Sequence, residues 1–391
     1  MSQPPLHGVR VIELARILAG PWAGQVLADL GADVIKVENP DGGDDTRKWG
    51  PPFVIGHDGA NLSAAYYHST NRGKRSIAVD FSTPEGAETV RRLVATADVL
   101  IDNFKLGGLR KYGLDWHSLR KINPRLVYGS ISGFGQDGPS HKRPGFDQIA
   151  QGMGGLMSIT GHPGAGPVRV GIAINDTSAG LLLANGIVLA LLDRERTGEG
   201  QHIDMALLDT QVSVLGNQNL NYLVSGKPPV QMGNAHMNIA PYEVLPVRDG
   251  FFILAVGNDG QFQRFCKVVG LDHLTTDADF ATNPARVANR VRLREALVAT
   301  LAEWERDRLL PLLDAAGVPA SPINNIAQMF EDPQVVARGM RMDLDDGNGN
   351  RLPSVRSPML MSATPPVYDR PSPRLGEHTA EILAELETPT R

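Results

Sequence analysis

The first hundred residues alternate strand and helix at spacings that leave few folds open. Val9 to Leu14 reads as a strand. Trp22 to Leu30 carries a helix closed by Gly31, and Val34 to Val37 is a second strand begun a few residues later. A strand, a helix and a strand at this spacing form a βαβ unit, whose crossover favours parallel pairing. The pattern repeats. Ser76 to Asp80 is strand-like, and Thr83-Pro-Glu-Gly86 opens a helix to Ala97 with Thr83 as cap and Pro84 at its first position. Val99 to Asp102 and Leu126 to Ser132 are further strands. Together they predict an α/β fold built on an open, doubly wound parallel sheet.

A chain of 391 residues is longer than one core usually serves. We expect a large domain over 1–200, completed by 340–391, and a smaller α+β domain over 235–325. The segment 201–234, rich in Asn and Gln, reads as a helix or linker, and 326–339 as the return linker. In the small domain, 241–256 reads as two strands turning at Arg248-Asp-Gly250, followed by helices near 261–269, 287–302 and 305–316. A net charge of −5 gives no reason to expect nucleic acid or an anionic membrane as partner. The lone Cys266 rules out an intrachain disulfide and reads as buried core. The N-terminus lacks a secretory pattern, and the longest apolar run, Leu181 to Leu192, is too short to span a bilayer. The expected setting is cytoplasmic.

Chemistry concentrates in Gly171-Ile-Ala-Ile-Asn-Asp-Thr-Ser-Ala-Gly180, where an extended segment stops at Asp176 before a long apolar helix. A carboxylate beside the free N–H groups of a helix start should be ionised and held in place. Such a group can attack an activated acyl carbon, or it can simply cap the helix. Asn71-Arg-Gly-Lys-Arg75 is a basic turn suited to phosphate or to solvent. Asn103 and Phe104 end a strand, where ligands of open α/β sheets bind, with Arg110 and Lys111 nearby. Gly257, Asn258, Gly260 and Gln261 lie in a loop that could close over a site or serve as a turn with Asp259 as cap. No histidine has metal-ligand spacing, and neither a G-x-G-x-x-G turn nor a G-x-S-x-G elbow stands where its chemistry needs it. No metal is expected.

Several pieces in order resemble the class III (CaiB/BaiF-type) CoA-transferases over essentially the whole chain. They are Leu18-Ala-Gly-Pro21, Leu30-Gly-Ala-Asp-Val-Ile-Lys-Val-Glu38 with Gly-Asp-Asp-Thr-Arg47, Asn71 to Ile77, and Asp102-Asn-Phe104. Gly133-Phe-Gly-Gln-Asp-Gly-Pro139, Gly145-Phe-Asp147, the Asp176 segment, Thr197-Gly-Glu-Gly-Gln201, Gly317-Val-Pro319 and Asp332-Pro-Gln334 follow. The resemblance implies a Rossmann-like large domain, an interlocked homodimer and coenzyme A carried as acyl-CoA. It implies Asp176 as nucleophile, forming a mixed anhydride with the donor acyl group and then an aspartyl-CoA thioester that the acceptor acid attacks. CoA would lie along Leu18, Asn39, Arg72, Lys74, Arg75, Asn103, Phe104, Arg110 and Lys111. The acids would lie near Phe146, Gly257, Asn258, Gly260 and Gln261, with Arg47 or Arg169 for a distal carboxylate.

Family racemases carry a His immediately before the Asp of the Gly-x-Asp piece. This chain has Phe146 there, which disfavours α-proton transfer. The pieces Trp49-Gly-Pro-Pro-Phe53, Gly233-Asn-Ala-His236, Ala240-Pro-Tyr242 and Pro322-Ile-Asn-Asn325 are most similar to the succinyl-CoA:glutarate branch. The formyl-CoA:oxalate branch has a run of glycines where this chain keeps only Gly257 and Gly260. Racemase, dehydratase, oxalate-type transfer and CoA binding without turnover are the alternatives.

Overall fold

The computed structural model describes residues 3–387, which form two compact units. The first comprises the chain up to Leu156, Arg169–Leu220 and the chain from Gln334. Its centre is a six-stranded parallel sheet of β1 (Arg10–Glu13), β2 (Asp33–Glu38), β3 (Arg75–Ala78), β4 (Val99–Asp102), β5 (Val127–Ser132) and β6 (His202–Ala206), in the order β3-β2-β1-β4-β5-β6. Strand order reverses between β1 and β4, the position at which doubly wound sheets open a crevice at their carboxyl edge.

Both faces are covered, so the central strands are buried on both sides. Val11, Val34, Val99, Ile101 and Val127 face α1 (Ala19–Asp29) and the long helix starting at Ile174. Ile12, Ile35, Ile77, Leu100 and Tyr128 face α2 (Pro84–Ala95) and Ile382 of the C-terminal helix Thr379–Glu387. Helix α2 begins as its sequence dictates: Thr83 Oγ1 accepts the Gly86 N–H at 3.1 Å, and Pro84 follows. Residues 202–206, taken from sequence for the start of a helix or linker, instead form the edge strand β6. His202-Ile-Asp-Met-Ala206 is half polar, as suits a strand with one free edge, and that polarity hid it among loop residues.

Three further helices of this unit place the site: α3 (Asp147–Met153), α4 (Ile174–Thr197) and α5 (Leu207–Val214). Helix α4 has 24 residues and, by length and composition, could cross a membrane; the apolar run alone had looked too short. Yet 44% of its most apolar window is buried, through residues such as Ala179, Leu183 and Ile187. Its close seat on α1 needs Gly180, where a Cβ would come 2.5 Å from the Ala19 carbonyl oxygen.

The second unit comprises 157–168 and 221–333. The strands Tyr242–Val247 and Gly250–Ala255 pair as an antiparallel hairpin, with Ala320–Pro322 on its outer edge. Helices Asp259–Val269, Arg290–Leu301 and Arg306–Ala315 surround a core of Phe252, Phe262, Phe265, Leu297 and the fully buried Cys266. Residues 157–168, expected in the large domain, join this unit: Gln231 Nε2 donates to the carbonyls of Thr160 and Gly166 at 2.7 and 2.6 Å.

Candidate active site

Three chain segments converge at the start of α4. Asp176 occupies the first turn, preceded by Asn175, whose side chain is buried. The α3 start is delivered by a crossing of two glycines. A Cβ on Gly145 would lie 2.1 Å from the Gly133 Cα, so neither position admits a side chain. Phe146 and Asp147 follow at once. The Asn175 N–H donates to Asp147 Oδ1 at 2.8 Å, and Gln151 Nε2 donates to Asp147 Oδ2 at 2.7 Å. Tyr66, on the helical turn Ala65–His68, is the third member; its indole neighbour Trp49 meets it edge-on at 5.4 Å.

The electrostatics overturn one expectation. A helix-start carboxylate should be ionised, yet burial and then the Asp147 charge push the Asp176 carboxyl up to about 7. Desolvation and a neighbouring like charge act against the helix dipole here. The Tyr66 phenol is likewise raised, by burial first and then by Asp176 and Asp147. The site therefore combines a carboxyl poised near neutrality with a neutral phenolic donor.

The basic residues expected to hold phosphate are mostly engaged elsewhere. Lys74 is fully buried, with Nζ 2.8 Å from Glu13 Oε2 and further bonds to the Pro21 carbonyl and Asn71. Arg72 clasps Asp29 with two bonds. Arg75 pairs with Asp33, Glu381 and Glu385. These three hold the sheet to α1 and to the C-terminal helix and are corrected to structural roles. Arg47 is corrected too: its guanidinium forms two bonds to Glu38, one to Tyr67 and one to the Pro373 carbonyl, and is 8% exposed. A buried cation with its own carboxylate is not free for a ligand.

Other expected residues do reach one place. Asn39 and Phe104 line a cleft of about 190 Å³ at the carboxyl ends of β1, β2 and β3, together with Arg16, Phe81 and Ser82. The Arg16 guanidinium sits 5.3 Å over the Phe104 ring, and Phe81 meets that ring edge-on at 5.7 Å. Asn103 frames the cleft from behind, bonding both the N–H and the carbonyl of Arg16. Next to them Ile17 holds φ +73°, costly for a β-branched residue, with its N–H donated to Asp44. Leu18 is buried as the residue capping α1. Arg110 lines a neighbouring cleft beyond Phe104, and Lys111 is exposed beside Tyr112.

Arg169 is exposed, with one bond to the Val170 carbonyl, and Phe146 is 61% exposed. Gly257, Asn258, Gly260 and Gln261 belong to the second unit, where they build a helix start. The cap is Asn258, not Asp259: its Oδ1 accepts the Gln261 N–H, while Asp259 pairs with the buried Arg286. Sequence reasoning gave no role to Asp147, although it stood in a recognised Gly-x-Asp piece, and none to Tyr66, Arg16 or Phe81. Only the Asp147 motif offered a signal beforehand.

A model of the family described as CoA-transferase family III matches residues 6–379. The chain belongs to CoA-transferase family III. This CoA-transferase is 60% identical over 386 residues, 99% of its length and 96% of the relative's, to the succinate–glutarate CoA-transferase of Agrobacterium fabrum. It is 42% identical to the succinyl-CoA:glutarate CoA-transferase of Mus musculus, across 98% of this chain and 87% of that one. A crystal structure of a CaiB/BaiF family protein from Brucella suis superposes with a TM-score of 0.88 at 56% identity, covering 98% of this chain and 100% of that one. The expected family, fold and enzyme class therefore stand.

Proposed function

We propose that this family III CoA-transferase moves CoA from succinyl-CoA to a dicarboxylic acid of glutarate type, with Asp176 as the nucleophile. The observation that carries the chemistry is a carboxyl on the first turn of α4, flanked by Asp147 and Tyr66. The acid pair is supported by 60% identity over 99% of the chain to a succinate–glutarate enzyme. The Asp176 carboxylate attacks the thioester carbonyl and expels CoA thiolate, leaving a mixed anhydride. The thiolate attacks the aspartyl carbonyl, releasing succinate and leaving an Asp176–CoA thioester. The acceptor carboxylate attacks that carbonyl, freeing thiolate again, and thiolate then takes the acceptor acyl group and restores Asp176. Tyr66 O–H is the donor for the oxyanion that develops at each attack.

The nucleotide end of CoA belongs in the cleft at the sheet's carboxyl edge, where Phe81 and Phe104 offer ring faces and Arg16 an exposed cation. With Arg47 engaged, Arg169 is the cation left for a distal acceptor carboxylate. The active form is a homodimer, and the interlocked arrangement seen in the family is supported by an exposed apolar strip on α4: Leu181, Leu189 and Leu192 are 51, 58 and 69% accessible. Transfer should be measured from succinyl-CoA to glutarate, valerate and oxalate. A rate with glutarate at least tenfold above the other two is the expected result. Equal rates with valerate would refute the dicarboxylate assignment and leave the enzyme class intact.

A further inference from the structure

Gln151 makes the most connected polar contact near Asp176, and the transfer steps give it no part. It lies one helical turn after Asp147 on α3 and is fully buried. Its Nε2 donates to Asp147 Oδ2 at 2.7 Å and, at 3.4 Å, to the Ile172 carbonyl; its Oε1 accepts the Val170 N–H at 2.9 Å. The partners dictate the orientation. A carboxylate and a carbonyl need donors, and a backbone N–H needs an acceptor, so a flipped amide would lose all three bonds. One side chain thus ties the carboxylate of α3 to the stretch of chain that leads into α4. Asn175 adds a backbone N–H on the other oxygen, but its own side chain contributes little: among the described residues Nδ2 reaches only the Asp147 carbonyl, at 3.3 Å, and Oδ1 meets no donor.

We infer that Gln151 is a positioning residue for CoA transfer, holding the Asp147 carboxylate and the 170–172 segment in the one arrangement that aims Asp176 at the thioester. This rests on the reading of Asp176 as nucleophile. A carboxylate that can rotate away, or a helix start that shifts by an ångström, misplaces the attacking oxygen, and such misplacement costs rate far more than binding. A buried amide serves better than an ion pair here because it orients Asp147 without adding charge.

The test exploits the chemistry of the pair. Gln151→Glu keeps the shape and the acceptor for Val170 but sets a carboxylate against Asp147. Its kcat should fall about a hundredfold while the KM for succinyl-CoA changes less than threefold. Adding Asp147→Asn exchanges amide and acid between the two positions: the amide now on the 147 side chain can donate to the carboxylate now at 151 and still accept the Asn175 N–H. The double variant should recover at least tenfold over Gln151→Glu. The readout is kcat together with the rate at which intact-mass spectrometry shows the covalent CoA adduct after mixing with succinyl-CoA. An adduct absent from wild type refutes Asp176 as nucleophile whatever position 151 does. An adduct that forms in wild type and equally fast in Gln151→Glu overturns the role of Gln151. So does a double variant slower than either single one, which is the additive loss a merely structural residue gives. If Gln151→Glu does not fold, the double variant decides alone: folded and within thirtyfold of wild type supports the pair, folded and a thousandfold slower overturns it.

Discussion

Burial and the Asp147 charge raise the Asp176 carboxyl from 3.8 to about 7, and two measurable effects follow. The nucleophile is the ionised form, so kcat/KM for acyl-CoA should rise with pH and level off above about 7. Asp147→Asn removes the like charge and should move that limb to lower pH; an unmoved limb would mean that Asp147 does not act on Asp176. Stability follows the opposite course. Between 3.8 and about 7 the folded chain binds a proton that the unfolded chain has released, so this group's contribution falls as pH rises through that window. Above pH 7, Asp176→Asn should therefore be more stable than wild type by about 1–3 kcal/mol after allowance for partial exposure, and equal to it near pH 4. Thermal melts at pH 4 and pH 8 check this, using fresh protein because the new amide can hydrolyse. The same scale settles the basic turn. Lys74→Met should lower stability by about 1–3 kcal/mol, since it strips Glu13 of one cation and leaves it Lys36. Arg16→Ala should raise the KM for acyl-CoA about tenfold with little loss of stability.

The elements are held at the site by backbone approaches that only glycine permits. Gly180→Ala would press a methyl 2.5 Å from the Ala19 carbonyl oxygen and 3.0 Å from Trp22 Cβ, forcing α1 from α4. That should cost about 1–3 kcal/mol and slow transfer as well, since α4 carries Asp176. Gly171→Ala is the matched control: its Cβ meets nothing within 4 Å, and its melting temperature should stay within about 2 °C of wild type. Helices α1, α2 and α4 and the central strands were legible beforehand because each declares itself locally, through apolar period, caps such as Thr83, and breakers such as Gly31; α3, seven residues long, has too few turns to show a period. Strand β6 was not, since an edge strand of mixed polarity has no period that separates it from a loop. The Gly133–Gly145 crossing was visible as two motif pieces, yet nothing local says that glycines twelve residues apart touch.

At the scale of the molecule, the first unit joins distant parts of the chain through charge. Arg75 reaches Glu381 and Glu385, and Arg10 reaches Glu385, so the C-terminal helix is pinned to β1 and β3. Truncation before Thr379 should expose Ile382's pocket and lower the melting temperature by several degrees. For the proposed dimer, the apolar strip of α4 is the surface to be covered. Light scattering should find dimers, and a Leu189→Asp, Leu192→Asp double variant should dissociate or precipitate while the wild type does neither.

By itself the sequence determined most of the strands and helices of the first unit, the family, and the helix start that holds Asp176. Those depend on periodicity, caps and ordered motifs, all of which act within a few residues. The tertiary structure alone decided how the charges are spent. Lys74 and Arg47 looked like ligand-binding cations until the fold surrounded them with Glu13 and Glu38. Asp147 and Tyr66 acquired meaning only when the sheet brought them from 29 and 110 residues away to the same carboxyl. Burial and Coulomb interaction depend on distance in space, and a chain read in one dimension does not contain that distance.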